Sequence, residues 1–318
     1  MGLRLGLDVG GTKVALALGD AAGAILGHAR IPFPATGDPR RDVARMLEAA
    51  ERLLAERGVG FGELEAVGLA VPGPLDAARG RVLSPPNLPG WRDVELAERF
   101  HTATGAPVAV ENDADAAALA EWRHGAARGS EHAVYLTMST GVGGGLVLGG
   151  RLHRGALGAG EVGHAPVEWE GEACACGLRG CLEAYVGGAA WTRYLRAAAA
   201  PDGRVAALAG GSERIEPAHL LAAAREGDAF ALAELARWNG YLARGLVWLA
   251  MVISPEVIVL GTIARAAGEG LCLAPLRERV ARHTWPRVAR GVRIVASELG
   301  DELPERAALA VADLAASR

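Results

Sequence analysis

The chain has 318 residues, 51% of them apolar and 22% charged, and its 33 basic and 37 acidic residues leave a net charge of −4. This balance excludes a disordered or collagen-like chain and a generally basic nucleic-acid binder, and the length favours two lobes over a single core. The richest apolar stretch, Leu246 to Ile253, is bracketed by Arg244 and Glu256, short of the ~18 uncharged residues of a membrane span. Asp8 and Lys13 interrupt the region where a secretory signal would be apolar, so a cytoplasmic protein with no membrane association is expected.

In chain order, Leu3 to Val9 alternates with period two, Gly10-Gly11-Thr12-Lys13 turns the chain, and Val14 to Leu18 reads as a second strand. An amphipathic helix is predicted over Asp42 to Glu56, a buried strand over Ala66 to Val71 closed by Pro72-Gly73-Pro74, and a strand over Pro107 to Val110. That strand runs through Glu111-Asn112-Asp113 into an alanine-rich helix reaching Trp122. The opening plan then returns: Ala133 to Met138, a turn at Ser139-Thr140-Gly141, and Gly143 to Leu148. Helices are predicted over Pro217 to Gly227, Ala229 to Ile253 and Leu303 to Ser317, with the strand Val257 to Leu260 and its Gly261 turn between them. Alternating strands and helices predict an α/β fold. The duplicated hairpin predicts two lobes, 1–114 joined by 303–318 and 115–302, with a crevice where two glycine turns grip a polyphosphate.

A glycine turn lets backbone N–H groups approach phosphate oxygens, and Asp8 at the strand end could hold Mg²⁺ directly or through water. Glycine pairs also make ordinary hairpins, and Lys13, the sole lysine, reads equally as a phosphate contact or a solvated surface residue. Three of the four cysteines, Cys174, Cys176 and Cys181, fall within eight residues, which suits a metal knuckle rather than a disulfide framework. His164 would complete a Cys₃His tetrahedron for structural Zn²⁺. Asp113 reads either as a helix cap or, at a strand end of an open sheet, as a carboxylate that accepts a hydroxyl proton. Glu161 and Glu183 flank the knuckle.

Together these segments resemble the ROK family (repressor, open reading frame, kinase), in particular its sugar kinases, within the actin-like ATPase superfamily. The resemblance runs through Leu5–Lys13, Gly68–Pro74, Ser84–Trp91, Glu111–Ala114, Ser139–Gly145, Gly160–His164 and Cys174–Glu183, nearly the whole chain. It implies a two-lobed actin-like (ribonuclease H-like) fold and ATP-dependent phosphorylation of a hexose at its C6 hydroxyl. Glucose is the first expectation; N-acetylmannosamine, N-acetylglucosamine and fructose are the alternatives. Asp113 would be the base. Gly73, Asn87, Asn112, Glu161, His164 and Glu183 would hold the sugar, with His164 also on zinc. Asp8, Gly10, Gly11, Thr12, Lys13, Thr140, Gly141, Gly143 and Gly261 would hold ATP and Mg²⁺. The resemblance also implies a homodimer or homotetramer.

Two departures stand out. Thr262-Ile263 follows Gly261 where the family has a run of glycines around the adenosine, which leaves a non-catalytic sugar sensor as an alternative if these side chains block the nucleotide. Asp115 stands where the family more often carries Asn, and is expected to face outward. The family's repressors place a winged helix-turn-helix ahead of the kinase-like body. With the first turn starting at residue 8 and an acidic net charge, DNA binding is not expected.

Overall fold

Leu5 and Leu7 on one side of the first strand are buried in an apolar cluster, while Gly6 between them offers no side chain to the other side. That asymmetry organises the first half of the computed structural model, which describes residues 2–156 and 158–317. The chain divides into two units, residues 1–125 with 299–318 and residues 126–298.

In the first unit, β1 (Leu3–Val9) pairs antiparallel with β2 (Lys13–Asp20), which pairs with β3 (Ile25–Pro32). On its other edge β1 runs parallel to β4 (Leu64–Val71), and β4 parallel to β5 (Val108–Asn112). The order is therefore β3-β2-β1-β4-β5. Strand β3 has no clear signature in the sequence, because alternate residues from Leu26 to Pro32 are exposed on an edge strand. Helix α1 (Pro39–Ala55) starts three residues before its expected position, with the Asp38 carboxylate accepting from the Arg40 N–H and Pro39 at the first position. It lays Met46, Leu53 and Leu54 on the Leu5/Leu7 side of the sheet. Helix α2 (Leu96–Thr104) leads to β5, and α3 (Asp113–His124) leaves it.

The C-terminal helix, Leu303–Ala316, covers the Gly6 side. A methyl group on Gly68 would lie 2.1 Å from the backbone nitrogen of Ala312, and one on Gly6 2.7 Å from the carbonyl carbon of Ala308. Helix and sheet thus meet backbone to backbone. Ion pairs of Asp313 with Arg4 (3.1 Å) and Arg123 (2.6 Å), and of Glu305 with Arg30 (2.7 Å), fix the helix from three elements. Arg123 also donates to the Ala310 carbonyl. Helix α3 therefore belongs to the first unit, and the boundary expected at 114 falls instead after Gly125, with the return at Leu299 rather than 303.

The second unit repeats the plan. β6 (Ala133–Met138) and β7 (Val142–Leu148) form an antiparallel hairpin, extended by β8 (Arg151–Leu152). β6 also runs parallel to β9 (Val257–Leu260), and β9 to β10 (Arg293–Ala296), giving β8-β7-β6-β9-β10. Its helices include α4 (Glu183–Val186), α5 (Gly188–Ala198), α6 (Pro217–Arg225), α7 (Ala229–Val252), α8 (Thr262–Gly268) and α9 (Ala274–His283). Trp191 of α5 stacks on Trp238 of α7 in the core, with ring centroids 5.2 Å apart. The α/β class is as expected, and no helix among the described residues is long and apolar enough to cross a membrane.

The close approach at Gly68 generates a stability prediction. Gly68→Ala should destabilise the first unit by about 2 kcal/mol or more, since backbone rather than a flexible side chain would have to yield. A denaturant titration of wild type and variant measures this directly.

Candidate active site

Parallel pairing brings the C-terminal ends of β1, β4 and β5 to one edge of the first sheet, so Asp8, Pro72-Gly73 and Asn112-Asp113 collect there although a hundred residues separate them. The turn after β1 closes with the Gly10 N–H donating to the Lys13 carbonyl at 2.9 Å, and Thr12 accepts from the Phe33 N–H at 2.7 Å. A methyl on Gly11 would stand 2.7 Å from the Asn87 carbonyl oxygen. Glycine here lets the 84–91 loop close onto the turn, which brings Asn87 beside Gly11. Thr12 and Lys13 are exposed.

The cap of α3 is Asn112, not Asp113. The Asn112 side-chain oxygen accepts from the N–H groups of Ala114 (2.9 Å) and Asp115 (3.4 Å), leaving its NH₂ on the side of Gly73. Asp113, at the first helical position, is exposed, with one oxygen accepting from the Ala114 N–H at 2.8 Å. Asp115 is buried, contrary to the outward orientation expected of it, because α3 is covered on every side from Ala114 to Glu121. Asp8 is half-buried. Burial, then the charges of Asp113 and Glu305, push its carboxyl up to about 7, against the opposing pull of Lys13 and Arg30.

In the second unit the turn after β6 docks on the start of α5: the Gly188 N–H donates to Ser139 O (2.7 Å) and the Ala189 N–H to Thr140 O (2.9 Å). Glu183 Oε2 accepts from the Val142 N–H at 2.8 Å and lies where a Cβ on Gly141 would clash, at 2.3 Å. Gly143 sits opposite Thr137 in the hairpin. Beside the turn lies a cavity of about 530 Å³ whose walls include Ser139, Thr140, Glu216, Arg225, Thr262 and Ile263. Gly261 is buried behind it, donating its N–H to Leu136 O at 2.8 Å. Thr262 takes a left-handed backbone (φ 42°) and directs its hydroxyl to the Met138 carbonyl and Thr137 Oγ1, while Ile263 packs into the core. Thr262 and Ile263 thus form part of the cavity wall.

The ligand atoms of His164, Cys174, Cys176 and Cys181 all lie within 4.8 Å of one another. His164 Nδ1 is 3.8 Å from Cys174 Sγ, and Cys176 Sγ 3.8 Å from Cys181 Sγ. A tetrahedral ion with metal–sulfur bonds of ~2.3 Å has edges of ~3.8 Å, so the donor set fits zinc in both chemistry and spacing. His164 Nε2 points instead to Glu161, with 4.0 Å between Nε2 and Oε2.

The ROK family model matches residues 4–315. The glucokinase of Thermotoga maritima is 39% identical over 304 residues, covering 94% of this chain and 93% of that protein. Among solved structures, the ROK hexokinase of Thermus thermophilus is 38% identical with a TM-score of 0.81, covering 98% of each chain. A ROK family glucokinase from Streptomyces griseus, in complex with glucose and AMPPNP, is 34% identical with a TM-score of 0.81 and covers both chains fully. The chain belongs to the ROK family. Its fold is the actin-like ATPase fold of those ROK kinases.

In this ROK protein one supporting residue is absent from the motif reading. Asp42 is fully buried and accepts from the Thr36 N–H (3.0 Å), Thr36 Oγ1 (2.9 Å) and Trp91 Nε1 (3.0 Å). It ties α1 to the loop that carries Asn87. Its sequence signal is an acid on the apolar stripe of a helix, in step with Met46, Ala49 and Leu53.

Two tests follow from these arrangements. Trp91→Phe keeps the ring but leaves the buried Asp42 carboxylate short of a donor, and should cost about 1–3 kcal/mol in denaturant unfolding. For Asp8, the folded chain between the ordinary value of 3.8 and about 7 holds a proton that the unfolded chain has released, so ligand-free stability falls as pH rises through that window. Asp8→Asn removes the fall. The variant should melt at least ~2 °C above wild type at pH 8 and lose that advantage below pH 4, as read by calorimetry without nucleotide or metal.

Proposed function

We propose that this protein is an ATP-dependent glucose kinase that transfers the γ-phosphoryl group of ATP to the C6 hydroxyl of glucose. The observation that carries the reading is the end-to-end match to a glucokinase whose structure holds glucose and AMPPNP. Asp113 accepts the C6 hydroxyl proton as that oxygen attacks the γ-phosphorus. The bond from phosphorus to the β,γ-bridging oxygen breaks, and glucose 6-phosphate and ADP are the products. Phosphoryl transfer of this kind asks the protein mainly to position partners and offset charge.

Asn112, with its oxygen on the helix, donates through its NH₂ to the sugar. Gly73, Asn87, Glu161, His164 and Glu183 supply the rest of the sugar site. Asp8, Gly10, Gly11, Thr12 and Lys13 from the first hairpin, and Thr140, Gly141, Gly143 and Gly261 from the second unit, serve the nucleotide. Mg²⁺ held near Asp8 would offset phosphate charge, and a nearby cation favours the ionised form of that carboxyl. Zinc on His164, Cys174, Cys176 and Cys181 would be structural, holding the imidazole through Nδ1 so that Nε2 faces the sugar. A cytoplasmic homodimer or homotetramer belongs to the same reading.

Asp113→Ala should retain measurable glucose binding by calorimetry and lose at least ~10²-fold in turnover, the low end for a proton-transfer group. Near-normal turnover in a coupled assay removes Asp113 from the role. A panel of hexoses and N-acetylhexosamines compared by kcat/KM should place glucose first.

A further inference from the structure

The cysteine–histidine cluster and the second glycine turn are separate motifs in sequence, yet the structure ties them together at several points. Glu183 lies two residues after the ligand Cys181. Its Oε2 accepts the Val142 N–H at 2.8 Å, and its Oε1 lies 3.7 Å from Sγ of the ligand Cys174. Beyond α4, Gly188 and Ala189 bond the Ser139 and Thr140 carbonyls, so this single turn of helix is fastened to the glycine turn at both ends. From the other side Gly163, next to the ligand His164, approaches so closely that a methyl on it would lie 2.2 Å from the Val142 carbonyl oxygen. The Leu182 N–H donates to Ala165 O at 3.0 Å and links the two supporting segments. Ser139 and Thr140, the residues so held, line the cavity beside the turn, and Thr140 is among the residues proposed to serve the nucleotide.

We infer that Glu183 is a positioning residue through which the metal cluster orders the Ser139–Val142 turn, so that zinc occupancy and nucleotide affinity are thermodynamically linked. The inference rests on the kinase reading of that cavity. A metal joining His164, Cys174 and Cys181 restrains the two segments that grip the turn, and a turn already ordered gives up less conformational freedom when nucleotide binds. Linkage is reciprocal, so nucleotide tightens zinc by the same factor.

The test uses the full chain without sugar. AMPPNP with Mg²⁺ is titrated by calorimetry into zinc-loaded, zinc-stripped and zinc-reloaded protein, and zinc affinity is measured by equilibrium competition with a chelator, with and without AMPPNP. Stripping should weaken AMPPNP about tenfold and reloading restore it, and AMPPNP should tighten zinc at equilibrium by the same factor. Zinc-loaded Glu183→Ala should bind AMPPNP about tenfold more weakly and lose the tightening of zinc. Glu183→Gln, which keeps an acceptor for the Val142 N–H, should bind AMPPNP like wild type. Equal AMPPNP affinity with and without zinc overturns the inference. If the stripped chain unfolds by circular dichroism, the Ala and Gln variants decide it, and equal affinity of the two overturns it. Failure of zinc-loaded wild type to bind AMPPNP at all overturns the kinase reading itself, and the linkage with it.

Discussion

Parallel pairing of strands far apart in sequence is the constraint from which the candidate site follows. A parallel neighbour cannot be reached by a tight turn, so each of β1, β4 and β5, and each of β6, β9 and β10, is separated from the next by a long crossover. Equal direction then delivers all C-terminal ends to the same edge of each sheet. The loops at that edge need only short reach, and they carry Asp8, Gly73 and Asp113 in one unit and Ser139 to Gly141 and Thr262 in the other. The antiparallel hairpin at the start of each sheet adds a glycine turn to the same edge, because β1 and β6 belong both to the hairpin and to the parallel set.

Within that frame, chemistry is divided between adjacent residues. Asn112 and Asp113 follow one another, and either could satisfy the first amides of α3. Asn112 spans two of them, Ala114 and Asp115, with an amide oxygen that carries no charge, while the carboxylate of Asp113 accepts from the Ala114 N–H and stays exposed. At the same sheet edge Asp8 feels that carboxylate, together with its own burial, as a rise in its affinity for a proton. Two acids near one another favour a cation there, consistent with a site for a metal-bound polyphosphate.

Support for the site comes from carboxylates that fasten its loops. Asp42 collects three donors in the core and holds the 84–91 loop against the first glycine turn. Glu183 plays a similar part in the second unit, where one carboxylate joins the turn to the cysteine loop. The C-terminal helix closes the first unit through Gly6 and Gly68, where absent side chains let two backbones touch. These contacts explain why glycines and acids are spread well beyond the two glycine turns.

The sequence by itself determined the α/β class, both hairpins, the position of most buried strands and the cysteine knuckle, because each is written in local period, turn chemistry or ligand spacing. Pro217 to Gly227 and Val257 to Leu260 lie within two residues of the observed elements for the same reason. Edge strand β3, helices α2, α5, α8 and α9, and the strand Arg293–Ala296 were not legible, since their apolar faces are short or discontinuous and gain meaning only against a neighbour. Tertiary structure alone decided that Asn112 rather than Asp113 caps the helix, that Asp115 is buried, and that Thr262 walls a cavity instead of filling it. It also decided that α3 belongs with the first unit. Thr262 is held by Met138 and α3 by the C-terminal helix, each more than a hundred positions away, and neither period nor motif records such a neighbour.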